Sequence, residues 1–191
     1  TLGNSFTDAP GGTASWTFNG GTNYNNASGS VAITIAKANA TIVVNGYTGT
    51  YDAAAHGATG TATGVGGVDL SSGLTLGASF TDAPGGTATW SFAGGTNYND
   101  ASDSVAIVIA KADATIVVDG YTGTYDAAAH GATGSATGVG GVDLSSSLTL
   151  GNSFTDAPGG TASWTFAGGT NYNDASGTAA IAIAKANATI A

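Results

Sequence analysis

The chain has 191 residues, its twelve acidic residues are all Asp, its three basic residues are all Lys, and the net charge is -9. A surface of this charge repels the phosphates of nucleic acids and anionic lipid headgroups, so we expect no nucleic acid partner. The sequence contains no Cys, which excludes a disulfide framework and any thiolate metal site. Hydrophobic residues make up 42% of the chain, enough to build cores held together by packing alone.

A long internal repeat organises the sequence. The string TLGNSFTDAPGGTASW begins at Thr1, recurs as TLGASFTDAPGGTATW from Thr75 and returns unchanged from Thr149, so the period is 74 residues. The stretches 37–110 and 111–184 differ at only 11 positions, which makes them near-copies whose equivalent residues can be compared directly.

The repeat predicts four segments, with boundaries at the equivalent residues Lys37, Lys111 and Lys185. Residues 1–36 are interpreted as the C-terminal part of a module, and residues 185–191 as the start of a further one. Two complete modules, 37–110 and 111–184, lie between them. We therefore expect the sequence to be a piece of a longer array.

Within one module the sequence predicts short strands separated by turns. Alternation over Thr87–Phe92 places Ala88, Trp90 and Phe92 towards a core, and we expect the equivalent tryptophans of all three copies to be buried between sheets. A second alternating stretch, Val105–Ile109, has a buried face with Ile107 and Ile109. The predicted strands or extended pieces, in chain order, are Ala40–Val44, Tyr47–Tyr51, His56–Val65, Leu74–Phe80, Thr87–Phe92 and Val105–Ile109.

These elements define an all-β fold class. Helical spacing of apolar residues is interrupted by Gly throughout, and Gly and β-branched residues both disfavour helix. Six or seven short strands in a 74-residue repeat are typical of a small sandwich of two sheets, here tandem immunoglobulin-like modules. No apolar run approaches the roughly 20 residues that span a bilayer, so we expect no membrane insertion in this segment.

The combined sequence resembles a known class of repeats. The strings TYDAAAHGATGSATGV, WTFAGGTNYNDASG and KANATI are similar to the Gly-rich "mostly β" (MBG-type) repeats of bacterial surface proteins, over essentially the whole chain. The resemblance implies immunoglobulin-like modules arrayed as stalks of large secreted or adhesin-like proteins. The more familiar copies have Gly after Tyr-Asp, where this chain has Ala53 and Ala127, and this departure puts the local turn in doubt.

The residues with catalytic potential are few. Each complete module has one His, His56 or His130, with an Asp four residues earlier. A nucleophile elbow of the GxSxG type is missing from the sequence, as are Cys and Glu. We therefore predict no catalytic residues and no enzyme activity, and interpret each His as part of a turn or a strand edge.

Two further patterns suggest binding. Oxygen donors cluster in Asn97–Asp100 with Asp103 nearby, but their spacing matches no calcium loop, and Asx turns also account for them. We predict no metal or cofactor ligands and keep calcium as an alternative. The row Thr59, Thr61 and Thr63 could present hydroxyls to a glycan, although it also suits a solvent-facing strand.

The sequence favours a mechanical spacer outside the cell, with neighbouring repeats as its partners. Modules joined by only Ala110–Asp113 predict a stiff rod, with Lys111 pairing with Asp113 or Asp143 at the joint. The alternatives are a repeat that binds a glycan or calcium, and a subunit of a self-assembling extracellular fibre that pairs with copies of itself.

Overall fold

The structure, a computed structural model, describes residues 1–189; the last two residues of the predicted segment 185–191 lie outside it. The described chain is all-β, and its only helical parts are four 3₁₀ turns of three residues each, none of them long enough to cross a membrane. The strands are β1 Gly11–Phe18, β2 Ala27–Thr34, β3 Thr41–Asn45, β4 Tyr47–Thr50, β5 Thr59–Thr63, β6 Leu74–Thr75, β7 Gly85–Phe92, β8 Ala101–Ala110, β9 Thr115–Asp119, β10 Tyr121–Thr124, β11 Thr133–Thr137, β12 Leu148–Thr149, β13 Gly159–Phe166 and β14 Ala175–Ala184.

The chain forms two compact units, each assembled from segments that are separate in the sequence. The first contains Thr1–Gly46, Gly57–Ser79 and Thr87–Ala106. The second contains Tyr47–His56, Phe80–Gly86 and the described residues from Ile107 onward. The predicted module boundary at Lys37 lies inside the first unit and the one at Lys111 inside the second.

Residues from β9 onward contribute two sheets to the second unit. Strands β10, β14, β13 and β12 make a four-stranded sheet in that order, in which β10 runs parallel to β14, while β9 and β11 form an antiparallel pair. Phe166 of the larger sheet packs in one buried cluster with Ile116 and Ala136 of the smaller one. Ile181 and Ile183, on the inward face of β14, form a second cluster. The two sheets thus face each other in the manner of a β-sandwich.

The first unit contains two antiparallel pairs, β1 with β2 and β3 with β5. Residues 87–92 of β7 and 101–106 of β8 also belong to this unit. Ala62, which lies between Thr61 and Thr63 of β5, is buried and therefore points inward. Ala88 and Phe92 of β7 are buried as well. The alternation predicted for Thr87–Phe92 is therefore confirmed at Ala88 and Phe92, as is the buried face of β8 at Ile107 and Ile109.

The predicted strand Leu74–Phe80 is wrong in extent, because β6 covers only Leu74–Thr75. At Gly77 the backbone takes a φ of 75°, and a Cβ there would collide with the carbonyl oxygen of Thr89. The pairing of β6 with β7 therefore ends before Gly77, where the two backbones approach each other closely. Phe80 instead makes an isolated antiparallel bridge to His56.

The expected burial of the tryptophans is wrong for Trp16 and met only in part for Trp90 and Trp164. Trp90 and Trp164 are only half-buried, and Trp16 is 38% exposed. Trp164 stands opposite Gly177 in the β13–β14 register, and a Cβ on that glycine would lie 2.6 Å from the indole ring. The ring thus lies over the neighbouring strand, where glycine leaves room for it, and packs against the buried cluster around Phe166 while staying partly exposed.

Candidate functional site: the contacts between repeats

The short segment that begins each repeat is held by a loop of that same repeat. In the first unit the Ala38 N–H donates to the Asn97 carbonyl at 2.8 Å, and the Asn99 N–H donates back to the Ala38 carbonyl at 2.9 Å. The Lys37 ammonium donates to the carbonyl of Gly95 at 2.6 Å. The connecting segment is thereby incorporated into β-type pairing instead of running free.

The second unit repeats this arrangement atom for atom. Ala112 exchanges the same two backbone hydrogen bonds with Asn171 and Asn173, each at 2.9 Å. Lys111 donates to the Gly169 carbonyl at 2.6 Å. The expected ion pair of Lys111 with Asp113 or Asp143 is therefore wrong, because within residues 1–189 only His56–Asp52 and His130–Asp126 bring a basic and an acidic side chain within salt-bridge distance.

Hydrogen bonds and a glycine within residues 168–174 determine the shape of the loop in the second unit. The Asp174 carboxylate accepts the Gly168 N–H at 2.8 Å, and the Tyr172 N–H donates to the Gly168 carbonyl at 3.0 Å. Gly169 has a φ of 60°, the left-handed conformation that glycine adopts without steric cost. These bonds present the carbonyl of Gly169 to the lysine and the side chain of Asn171 to the preceding repeat.

One asparagine side chain then binds the preceding repeat at two points. Asn171 Oδ1 accepts the Ala83 N–H at 2.9 Å, while its Nδ2–H donates to the Asp82 carboxylate at 2.8 Å. In the first unit Asn97 makes the same pair of bonds to Ala9 and Asp8, at 2.9 and 2.7 Å. We call this two-point contact the Asn clamp. It uses both polar atoms of the amide.

The turn that the clamp binds, residues 82–85, is held by backbone hydrogen bonds of its own repeat. The Gly85 N–H donates to the Asp82 carbonyl at 2.8 Å, and the Ile109 N–H donates to the Pro84 carbonyl at 3.1 Å. The Ala83–Pro84 peptide bond is cis. The clamp therefore joins a rigid loop to a turn that is anchored on the last strand of the preceding repeat.

An aromatic contact accompanies the clamp in the second unit. The rings of Tyr51 and Tyr172 meet edge to face with centroids 5.6 Å apart. The Tyr172 hydroxyl accepts the Val139 N–H at 2.9 Å, which fixes the ring from its own repeat. Tyr51 comes from the preceding repeat and packs on the cluster around Phe166. Apolar surface is thus buried across the repeat boundary.

The two histidines hold turns within the repeat. His56 Nε2 lies 2.9 Å from Asp52 Oδ1, and the imidazole stacks on Tyr47 with ring centroids 3.8 Å apart. The hydrogen bonds from His56 and from the Ala54 N–H lower the pKa of Asp52. His130 and Tyr121 repeat the stack, and the Ala128 N–H followed by His130 lowers the pKa of Asp126. Ala53 and Ala127 have φ values of 66° and 64°, so the turn keeps a left-handed conformation without glycine.

The residues considered for calcium are used elsewhere. Asn97 forms the clamp, the Asn99 amide donates to the Asn39 side chain at 2.7 Å, and Asp100 caps the loop through the Gly94 N–H at 2.8 Å. Asp103 accepts the N–H of Ser104 at 2.8 Å. In the described part of the chain no three His, Cys, Asp or Glu side chains lie close enough together to hold a metal ion between them.

The sequence alone does not indicate the Asn clamp. From the sequence Asn97 can be interpreted only as a possible oxygen donor, because partners 88 or 89 positions away in the chain leave no local pattern. The one available signal was that Asn23, Asn97 and Asn171 recur in every copy of the loop. No protein-family model and no curated protein matches this chain.

Proposed function

We propose that this chain is a segment of a structural stalk, a spacer in an extracellular bacterial surface or adhesin-like protein in which successive modules give reach and stiffness. The observation that carries the proposal is the recurrence of the Asn clamp at the predicted boundaries Lys37 and Lys111, with the same atoms and nearly the same distances. The extracellular setting is supported by the resemblance to Gly-rich surface repeats.

The clamp opposes swivelling at each boundary. Intramolecular hydrogen bonds stabilise by about 1 kcal/mol each, and those to a charged group such as Asp82 by somewhat more. Three further contacts restrain the same joint. They are the hydrogen bond of Lys111, the bridge at Ala112 and the packing of Tyr51 on Tyr172. Flexible linkers depend on Gly and Ser, whereas Lys111–Ala112–Asp113 contains neither and is fixed by pairing.

The stiffness of one joint can be measured with spin labels, because the chain has no native Cys. Thr48→Cys and Ser135→Cys place labels on exposed strand positions of successive modules that both lie in the second unit, as the clamp of Asn171 does. We expect double electron–electron resonance to give one narrow distance distribution. The additional change Asn171→Ala should broaden it, because the two bonds to the preceding turn are lost.

Asn23→Ala is the matched control, since Asn23 occupies the same loop position in the first copy and makes no clamp within the described residues. A broad distribution in the otherwise unmodified chain would overturn the stalk proposal. Small-angle scattering is the second measurement: a pair distribution no longer than that of freely swivelling modules would also contradict it.

A further inference from the structure

The last strand of a complete repeat lies beside a strand from the beginning of the same repeat, and the two run parallel. In the second complete repeat β10 pairs with β14 from Tyr121↔Ile181 to Thr124↔Ala184. The Tyr125 N–H then donates to the Ala184 carbonyl at 2.8 Å, which continues the pairing past the end of β10. Strands β4 and β8 have the equivalent parallel register. Both complete repeats therefore contain this parallel pair.

The direction of the two strands determines how tension along the chain acts on the repeat. The chain enters β10 at Tyr121 and leaves β14 at Ala184. In a parallel pair these two points lie at opposite ends, so tension between the ends of the repeat slides the strands past each other along their length. Sliding loads the evenly spaced hydrogen bonds of the pair together, whereas a pull across the strands breaks them one after another.

Strand β14 is held more firmly on its other edge. There it pairs antiparallel with β13, which has eight residues, whereas β10 has four. The Ile183 N–H also donates to the Pro158 carbonyl at 3.1 Å. Strand β9, ahead of β10, pairs with β11 in a different sheet, so release of β9 leaves the pairing of β10 in place. The β10–β14 pair is therefore the contact that has to break before tension can extend the repeat.

Buried side chains shield the inward side of this pair from water. Ile181 and Ile183 of β14 are 2% and 3% exposed, and Tyr121 of β10 packs against them. The Tyr121 ring also stacks on the imidazole of His130 with centroids 3.8 Å apart. Hydrogen bonds in surroundings of low dielectric constant are stronger than those in water, so this packing strengthens the contact that carries the load.

We propose that the parallel pair β10–β14, with its equivalent β4–β8, is a force-bearing element that keeps each repeat folded under tension along the array. This role goes beyond stiffness, because it concerns the extension of one repeat and not the swivelling of two. Its use in the protein rests on the proposed stalk, whereas the resistance to force is a property of the fold and is measured separately.

The test pulls on the same two strands in two directions. The full chain has no native Cys, so handles for a single-molecule force measurement can be attached through cysteines introduced at exposed positions. Asp119→Cys with Ala184→Cys pulls along the strands, because Asp119 lies just ahead of β10. Thr124→Cys with Ala184→Cys pulls across them, because Thr124 stands opposite Ala184 in the register.

At one loading rate the pull along the strands should unfold the repeat at a force at least about twice that of the pull across them, since forced unfolding follows the unfolding rate. Chemical denaturation is the control. The two double variants should have equal free energies of unfolding, so that a difference in force reports the direction of pulling alone.

Equal unfolding forces in the two directions, or a lower force along the strands, would overturn the proposal. The spin-label measurement on Thr48→Cys and Ser135→Cys distinguishes this outcome from a failure of the stalk. A narrow distance distribution with equal forces would contradict only the force-bearing role, and a broad distribution with unequal forces would contradict only the stalk.

Discussion

Residues 1–18 and 149–166 have the same sequence, yet their apolar faces differ in exposure. Phe166 is enclosed by Ile116, Ala136 and their neighbours, whereas Phe18 remains half exposed. The strands and the turn form in both places, with the same cis peptide bond and matching registers between the paired strands. Local structure therefore comes from the hairpin's own sequence, while the core around Phe166 depends on residues 111–148, which pack against the hairpin.

The largest expected effect is a difference in the free energy of unfolding between equivalent variants of these two hairpins. Phe166→Ala should lower the free energy of unfolding by about 3 to 5 kcal/mol, because it leaves a cavity among packed side chains. Phe18→Ala should lower it by less than about 1 kcal/mol, because that ring already contacts solvent. Chemical denaturation of both variants measures the difference, and equal losses would contradict the comparison.

The Asn clamp provides a second comparison, between copies of one loop. Asn171→Ala removes the acceptor of the Ala83 N–H and the donor to Asp82, so we expect a loss of about 2 kcal/mol. Hydrogen exchange of the Ala83 amide should become faster, which locates the effect at the joint. Asn23→Ala, in the copy without a clamp, should leave the exchange of that amide unchanged, whereas faster exchange in both variants would argue against a local role.

A third prediction concerns the turn that departs from the resembling repeats. Ala127 has a φ of 64°, a conformation that costs an L-residue roughly 1 to 2 kcal/mol. Ala127→Gly should raise the free energy of unfolding by up to about 1 kcal/mol, since glycine relieves the strain but adds freedom to the unfolded chain. Ala128→Gly, one position further on, is the control and should not stabilise. A loss of stability in the first variant would contradict the prediction.

These comparisons also show how far the sequence alone could lead. Alternation at Ala88, Phe92, Ile107 and Ile109 indicated the inward face because each strand has one covered side. The alternation could not indicate that Phe18 is exposed where Phe166 is buried, because the residues that pack on Phe166 lie outside its hairpin. The partial exposure of Trp164 could not be predicted from its own strand, because its position depends on the space that Gly177 leaves on the adjacent strand. The Asn clamp depends on loops brought together only by the fold.

The smallest expected effect is a pH dependence of the His-bearing turns, which both complete copies contain and residues 1–36 lack. The pKa of Asp126 is lowered by the Ala128 N–H and by His130, and that of Asp52 by His56 and the Ala54 N–H. A carboxyl whose pKa is lower in the folded than in the unfolded state stabilises the fold above its unfolded pKa of about 3.9. That contribution is lost as the pH falls through the lower, folded pKa.

The unmodified chain should therefore melt at a lower temperature as the pH drops below about 4. Asp52→Asn with Asp126→Asn should make the melting temperature less sensitive to pH over the same window, because neither side chain can then be protonated. Asp119→Asn is the control, since Asp119 is exposed on β9 and lies outside the turn. Thermal melts followed by circular dichroism at pH 5 and pH 3 supply the measurement. Because both carboxyls are exposed, water screens them and the difference should be small. A pH dependence that is unchanged in the double variant would show that the charges of Asp52 and Asp126 add nothing to stability.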